Sequence, residues 1–139
     1  MNSRVAKYDR DGNWVTSWGE PGTGPGQFHL PHAIVIDRSD RIYVGDRTNN
    51  RIQVFRPAGT FVKEGILAER TLAAGSVHAI AFSPDQRFLY VGGTPVVYIL
   101  NRRTLEVLGS FSTGAAQEHP PGHQIAADHR GNVYIVQAE

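Results

Sequence analysis

Residues 28–55, FHLPHAIVIDRSDRIYVGDRTNNRIQVF, contain three short apolar runs separated by two polar turns. The runs cover residues 32–37, 41–45 and 51–55, and the turns between them are rich in Asp, Asn and Ser. Branched and aromatic side chains favour strands, whereas Asp, Asn and Ser favour tight turns. The stretch therefore predicts three antiparallel strands joined by short connections.

A fourth run at residues 60–67 completes a four-stranded unit, and the pattern recurs at residues 77–83, 88–92, 96–101 and 105–112. The first strands of successive units begin at His32, His78 and His123, with offsets of 46 and 45 residues. A four-stranded antiparallel repeat of this length is typical of a β-propeller blade. The fold class predicted is all-β, with propeller blades.

The two ends of the chain each contribute half of such a unit. Residues 1–19 contain an Asp-Gly hairpin signal and predict the last two strands of a blade. Residues 28–67 and 76–112 predict two whole blades, and residues 123–139 predict the first two strands of another. The prediction is one partial propeller with three blades' worth of strands, half of a six-bladed ring.

Three blades are too few to close a ring, and each half-blade leaves a bare sheet edge, which proteins avoid. Two explanations remain open. The chain is a piece of a longer propeller, or two copies pair head to tail around a twofold axis. In the second case the C-terminal half-blade of each copy joins the N-terminal half of the other, and a homodimer closes a six-bladed ring.

The bulk composition argues against several classes of function. A formal net charge of +1 gives no electrostatic footprint for nucleic acid, either duplex or single-stranded. The chain has no cysteine, so it has neither disulfides nor thiolate metal ligands. No apolar run approaches the roughly 18 to 20 residues that span a bilayer, and the N-terminus lacks a leader pattern. We expect a soluble chain without a membrane partner, in a compartment that stays undetermined.

Two motifs resemble the NHL repeat: GxGPGQFxxPH at residues 22–32 and IYVxDRxNNRIQVF at residues 42–55. The resemblance extends over nearly the whole chain, weakening from blade to blade, and it implies a six-bladed propeller. Such rings serve both as enzymes and as binding scaffolds, so the repeat alone names no function.

Further segments are similar to the peptidyl-α-hydroxyglycine α-amidating lyase family, namely WVTSWGE at residues 14–20, PGQF with the following Pro-His, and His123 before GNVY at residues 131–134. The resemblance implies that His32 and His123 are zinc ligands and that Arg47 holds a peptide carboxylate. It also implies the reaction, in which zinc polarises a carbinolamide hydroxyl, a base takes its proton, and C–N cleavage gives an amide and glyoxylate.

The sequence departs from that family in two respects. The family's third zinc histidine and its catalytic arginine and tyrosine belong to segments upstream of Met1, so we expect a lone chain to be an incomplete lyase. Where the family has Met-Pro-His-Asp, this chain has Pro-Gly-His-Gln at residues 121–124. Gln124 replaces the acid associated with a structural calcium, which weakens the expectation of calcium.

The periodic histidines also point to a metal without any family resemblance. The first strand of each blade is innermost, so His32, His78 and His123 are expected to face one mouth of the central channel. Imidazole is a common zinc ligand, and catalytic zinc takes three protein ligands. The alternative is that each histidine is a polar rim residue, and the family does not require His78.

Arg47 follows Asp46 at the end of a predicted second strand, close to the same mouth. Its planar guanidinium suits a carboxylate, while an ion pair with Asp46 or with an acid of another blade is the structural alternative. For the chain as a whole, the alternative to a lyase-like enzyme is a non-catalytic NHL scaffold. Such a scaffold binds peptide or protein partners on the face of the ring.

Overall fold

A computed structural model describes residues 2–67, 77–93, 96–113 and 123–136, and these contain strands and turns but no helix. The strands are β1 (Val5–Tyr8), β2 (Trp14–Trp18), β3 (Pro31–Ile36), β4 (Ile42–Asp46), β5 (Arg51–Phe55), β6 (Phe61–Ile66), β7 (Ala79–Phe82), β8 (Phe88–Gly92), β9 (Val96–Asn101), β10 (Val107–Ser112), β11 (Gln124–Ala127) and β12 (Val133–Val136).

The strands form four antiparallel sheets in which each strand pairs with its neighbours in sequence. The first blade is β3-β4-β5-β6, and the second blade is β7-β8-β9-β10. Two hairpins flank them: the N-terminal hairpin β1–β2 and the C-terminal hairpin β11–β12. The predicted all-β fold with four-stranded antiparallel blades is confirmed.

Asp residues close the turns between the first and second strands. The Asp37 carboxylate accepts hydrogen bonds from the backbone N–H groups of Ser39 and Arg41 at 2.8 and 2.9 Å. In the C-terminal hairpin, Asp128 accepts the equivalent bonds from Arg130 and Asn132, both at 2.9 Å. One oxygen of each carboxylate is thus occupied by its own turn, as is usual for Asp at such positions.

The last strand of the second blade starts later than predicted. The sequence pattern places its start at Leu105, but β10 begins at Val107. Leu105 takes a φ of 63° and its N–H bonds to the Asn101 carbonyl at 2.7 Å. Leu105 therefore belongs to the turn, and its apolar side chain, 3% exposed, packs into the core instead of continuing the strand.

The core lies between sheets, as expected for stacked blades. One cluster joins the two blades through side chains such as Tyr43 and Ile52 of the first and Leu89 and Leu100 of the second. A second cluster joins the first blade to the N-terminal hairpin, where Trp18 packs against Phe55. The innermost strands β3, β7 and β11 lie side by side. This arrangement brings the starts of these three strands together at one end of the sheets.

Candidate functional site

Three histidines converge where the innermost strands begin. His32 lies in β3, while His78 and His123 directly precede β7 and β11. The His32 ring centroid lies 5.8 Å from that of His78 and 6.5 Å from that of His123. The three side chains line one cavity of about 280 Å³. The structure therefore brings together the three histidines that the repeat period singles out.

A backbone hydrogen bond fixes the tautomer of His32. Its Nδ1–H donates to the His78 carbonyl oxygen at 2.7 Å, because a carbonyl can only accept. Nε2 of His32 then keeps its lone pair, and the ring is held by its opposite edge. This is the arrangement by which metal-ligating histidines are usually oriented. His32 and His123 are exposed, whereas the side chain of His78 is buried.

The donor chemistry of this cluster fits zinc, because neutral imidazoles with an available nitrogen are common zinc ligands. In the arrangement shown, no group of three or more His, Cys, Asp or Glu side chains within the described ranges is close enough to hold a metal ion. The histidine rings would therefore have to turn toward one another to share an ion. His32 and His123 have the solvent exposure that such a movement needs.

Arg47 lies at the same end of the first blade as His32. Its backbone N–H donates to the Leu30 carbonyl at 2.9 Å, and neighbouring Asp46 pairs with Pro31 across β3 and β4. Over the described residues, the Arg47 guanidinium makes no ion pair. Arg47 is thus a partly exposed cation at the end of the first blade where β3 begins.

The predicted alternative of an Asp46–Arg47 ion pair is wrong. The buried Asp46 carboxylate instead accepts from Arg51 Nε at 3.0 Å and from Asn49 Nδ2 at 2.7 Å. It also accepts the backbone N–H groups of His29 and Leu30 at 3.0 and 3.1 Å. Its hydrogen-bonding capacity is filled by the strand that follows and by the loop that precedes β3.

The role of Arg51, which is only 4% exposed, was not predicted from the sequence. Arg51 Nη1 donates to the Thr23 carbonyl at 2.6 Å and to Glu64 at 2.8 Å, and Nη2 donates to the carbonyls of Gly24 and Gln27. The glycine-rich connector at residues 19–27 is thereby fixed to the first blade. The sequence did hold a signal for this role, because Arg51 and Gln53 interrupt the apolar run RIQVF. A charged side chain in a buried strand needs hydrogen-bond partners.

Comparisons with known proteins agree with this architecture. Residues 28–55 match the family model of the NHL repeat. The fold resembles virginiamycin B lyase from Staphylococcus aureus, with a TM-score of 0.72 and 17% identity over 97% of this chain and 42% of that one. It also resembles a structure of U3-55K, with a TM-score of 0.71 and 13% identity over 91% of this chain and 37% of that one. The chain therefore contains an NHL repeat at residues 28–55 and has the blades of a β-propeller.

Among its sequence relatives, the peptidylglycine alpha-amidating monooxygenase of Rattus norvegicus is 32% identical over 151 aligned residues, which include 99% of this chain. The NHL repeat-containing protein 3 of Homo sapiens is 30% identical over 85% of the chain. The E3 ubiquitin-protein ligase TRIM71 of Rattus norvegicus is 47% identical over 34% of it. The chain spans 15%, 32% and 6% of the lengths of these three relatives.

The described part of the chain has no helix long and apolar enough to cross a membrane.

Proposed function

We propose that this chain forms part of a zinc-dependent carbon–nitrogen lyase of the peptidyl-α-hydroxyglycine α-amidating type. The observation that carries the proposal is the convergence of His32, His78 and His123 on one cavity, with the His32 tautomer fixed by a backbone carbonyl. Similarity to an amidating monooxygenase over 99% of the chain supports the same reading.

Each residue of the proposed site has a separate role. His32 and His123 would hold the zinc ion, with buried His78 as a third candidate donor. The carbonyl of His78 accepts from Nδ1 of His32, so Nε2 is the nitrogen of His32 that could serve as a ligand. Arg47 binds the carboxylate of the substrate, for which its forked guanidinium is suited. We propose no calcium site at Gln124, because its amide offers one neutral oxygen in place of a carboxylate.

The substrate is a peptide that ends in α-hydroxyglycine. When bound, zinc supplies Lewis-acid polarisation of the hydroxyl at the carbon whose bond to nitrogen breaks. The hydroxyl loses its proton, its C–O bond becomes the aldehyde of glyoxylate, and the departing nitrogen gains a proton as the peptide amide. Arg47 would fix the carboxylate during this step and so orient the C–N bond toward the histidine cluster.

We also propose that a second copy of the chain completes the ring as a homodimer. The described strands amount to two four-stranded blades and two hairpins, whereas propellers typically need four to eight blades. Two copies would provide six innermost strands and close the channel around the histidines. The proposed activity therefore belongs to the complete ring.

A non-catalytic scaffold for peptide or protein partners is the second candidate. Matches to TRIM71 of Rattus norvegicus and to Protein lin-41 of Caenorhabditis elegans cover only 34% and 36% of the chain. Similarity confined to about one repeat supports a shared framework for interactions with other proteins, without a shared reaction.

Metal analysis of protein purified without chelator tests the proposal, together with an assay of glyoxylate release from a peptidyl-α-hydroxyglycine. We expect bound zinc in the wild type, and loss of zinc, together with any lyase activity that the complete ring shows, in His32→Ala and His123→Ala. His29→Ala is the matched control, since this exposed histidine lies three residues from His32 outside the cavity. Zinc without lyase activity in a complete ring would favour the scaffold, and absence of zinc from the wild type would overturn the metal site.

A further inference from the structure

The contact between the two blades contains a buried group of three side chains, which we call the inter-blade triad: Asp37, Tyr43 and Arg102. Arg102 Nη1 donates to Asp37 Oδ2 at 2.6 Å, and the Tyr43 hydroxyl donates to the same oxygen at 3.3 Å. The Asp37 side chain is fully buried and that of Arg102 is 24% exposed. An arginine of the second blade thus neutralises an acid of the first.

Two members of this triad, the aspartate and the tyrosine, have counterparts in the C-terminal hairpin. The Tyr134 hydroxyl donates to Asp128 Oδ2 at 3.1 Å, as Tyr43 does to Asp37. The registers agree as well, because Ala127 pairs with Val133 where Ile36 pairs with Ile42 in the first blade. Across the described residues, no cation lies within ion-pair distance of Asp128.

Arg56 occupies in the first blade the position that Arg102 occupies in the second. Each arginine directly follows the third strand of its blade, after Phe55 and Asn101, which pair with Ile42 and Phe88 in the same register. Arg102 reaches the acid of the preceding blade. The Arg56 side chain is exposed and has no hydrogen bond or ion pair to any other residue that the structure describes.

The surface beside Arg56 has the form of an unfilled blade junction. The edge of β1, the exposed side chains of Ile34 and Ile36 and the turn around Pro57 line an open cavity of about 480 Å³. Within the described residues β1 pairs only with β2, and β12 only with β11. An unpaired strand edge is a template for strand addition.

We infer that the C-terminal hairpin of a second copy docks in this cavity, with its Asp128 ion-paired to Arg56 and its β12 paired antiparallel with β1. This inference rests on the homodimer proposed above and identifies its contacts. In the proposed dimer β12 takes the place of β4 and β1 takes the place of β5. If the two strands pair in the same register as β4 and β5, Val136 of one copy lies opposite Val5 of the other. Asp128, Tyr134 and the second copy's Arg56 then form an inter-blade triad at each of two equivalent junctions.

Light scattering after size-exclusion chromatography, over a dilution series, tests the ion pair. We expect a wild-type dimer, and a dissociation constant raised about 10- to 100-fold by Arg56→Glu and by Asp128→Asn. Oδ1 of Asn can still accept from the backbone N–H groups of Arg130 and Asn132, so the second variant keeps the backbone contacts of the turn. Arg103→Glu is the matched control, because it makes the same charge change on an exposed side chain in the corresponding turn of the second blade.

The outcomes separate this inference from the proposals on which it rests. A wild-type monomer at every concentration overturns the homodimer and the docking together. If Arg56→Glu and Asp128→Asn change the dissociation constant of the dimer no more than Arg103→Glu does, the Arg56–Asp128 contact is overturned and the homodimer itself is not. The zinc content of the His32→Ala variant reports on the metal site independently of either result.

Engineered cysteines test the strand register, since the chain has no cysteine of its own. Val5→Cys and Val136→Cys proteins, mixed in equal amounts and oxidised, should give a cross-linked dimer on a non-reducing gel. Directly opposed residues have the Cα spacing that a disulfide needs. A mixture of Val5→Cys and Val133→Cys proteins is the control. It makes the same type of substitution three residues away from Val136, where no direct pairing with Val5 is expected. Cross-linking that is equal in the two mixtures contradicts the register.

Discussion

The two faces of β3 meet different surroundings. Ala33 and Val35 point toward the second blade and pack against its core, which includes Val77 and Ile80. Ile34 and Ile36, on the opposite face of the same strand, are 52% and 58% exposed. The first contact is the closed junction, and the uncovered face beside β1 is the open junction.

A strand that is apolar on both faces has the composition of a fully buried strand. The closed junction shows what covers one face of β3, namely the inner strands of the next blade. The N-terminal hairpin covers only the outer part of the other face, where Trp18 and Val5 pack near Phe55. The difference indicates that the open junction lacks the inner strands of a blade.

The largest expected difference between the junctions is the effect of truncating a core side chain. Leu89 is fully buried at the closed junction, so Leu89→Ala should lower the free energy of unfolding by about 2–5 kcal/mol. Ile36→Ala at the open junction should change it by less than about 1 kcal/mol in the monomer. Urea denaturation of dilute protein, followed by circular dichroism, measures both. Equal losses would show that Ile36 is already covered within one chain.

Adding a methyl group should give the next largest effect. A Cβ on Gly45 would lie 2.6 Å from Val77 Cγ1 across the closed junction, so Gly45→Ala should destabilise the fold by about 1–3 kcal/mol. Gly109 in β10 is the control, since a Cβ there meets nothing within 4 Å. Thermal melts of the two variants make the comparison. If Gly109→Ala were as harmful as Gly45→Ala, the cost would come from the backbone and not from the junction.

The repeat period predicted the blades and the convergence of His32, His78 and His123, because position within a blade determines distance from the axis. Proximity along the chain did not predict ion pairs. Asp46 bonds to Arg51 and not to its neighbour Arg47, because Asp46 and Arg51 are directly opposed across β4 and β5. Contacts between turns of different blades, such as Arg102 with Asp37, join residues 65 positions apart and leave no local signal.

The smallest expected effect distinguishes Tyr43 from Tyr134, which hold the same position in their blades. Burial is the main cause that raises the pKa of Tyr43, whereas the hydrogen bond to Asp128 is the main cause that raises the pKa of exposed Tyr134. Asp128→Asn should therefore lower the pKa of Tyr134 toward its ordinary value near 10.0 and leave that of Tyr43 unchanged. Tyrosine ¹³Cζ shifts in an NMR titration measure both values.

The sign of the pH effect follows from the same contact. Because the folded state raises the pKa of Tyr134, the Tyr134–Asp128 hydrogen bond stabilises the hairpin below about pH 10 and is lost as the pH rises through the folded-state value. Cross-strand NOEs between Ala127 and Val133 must persist in Asp128→Asn, so that fraying of the hairpin is not mistaken for loss of the bond. A Tyr134 pKa that stays raised in dilute, monomeric Asp128→Asn protein would show that the hydrogen bond to Asp128 is not the main cause of the shift.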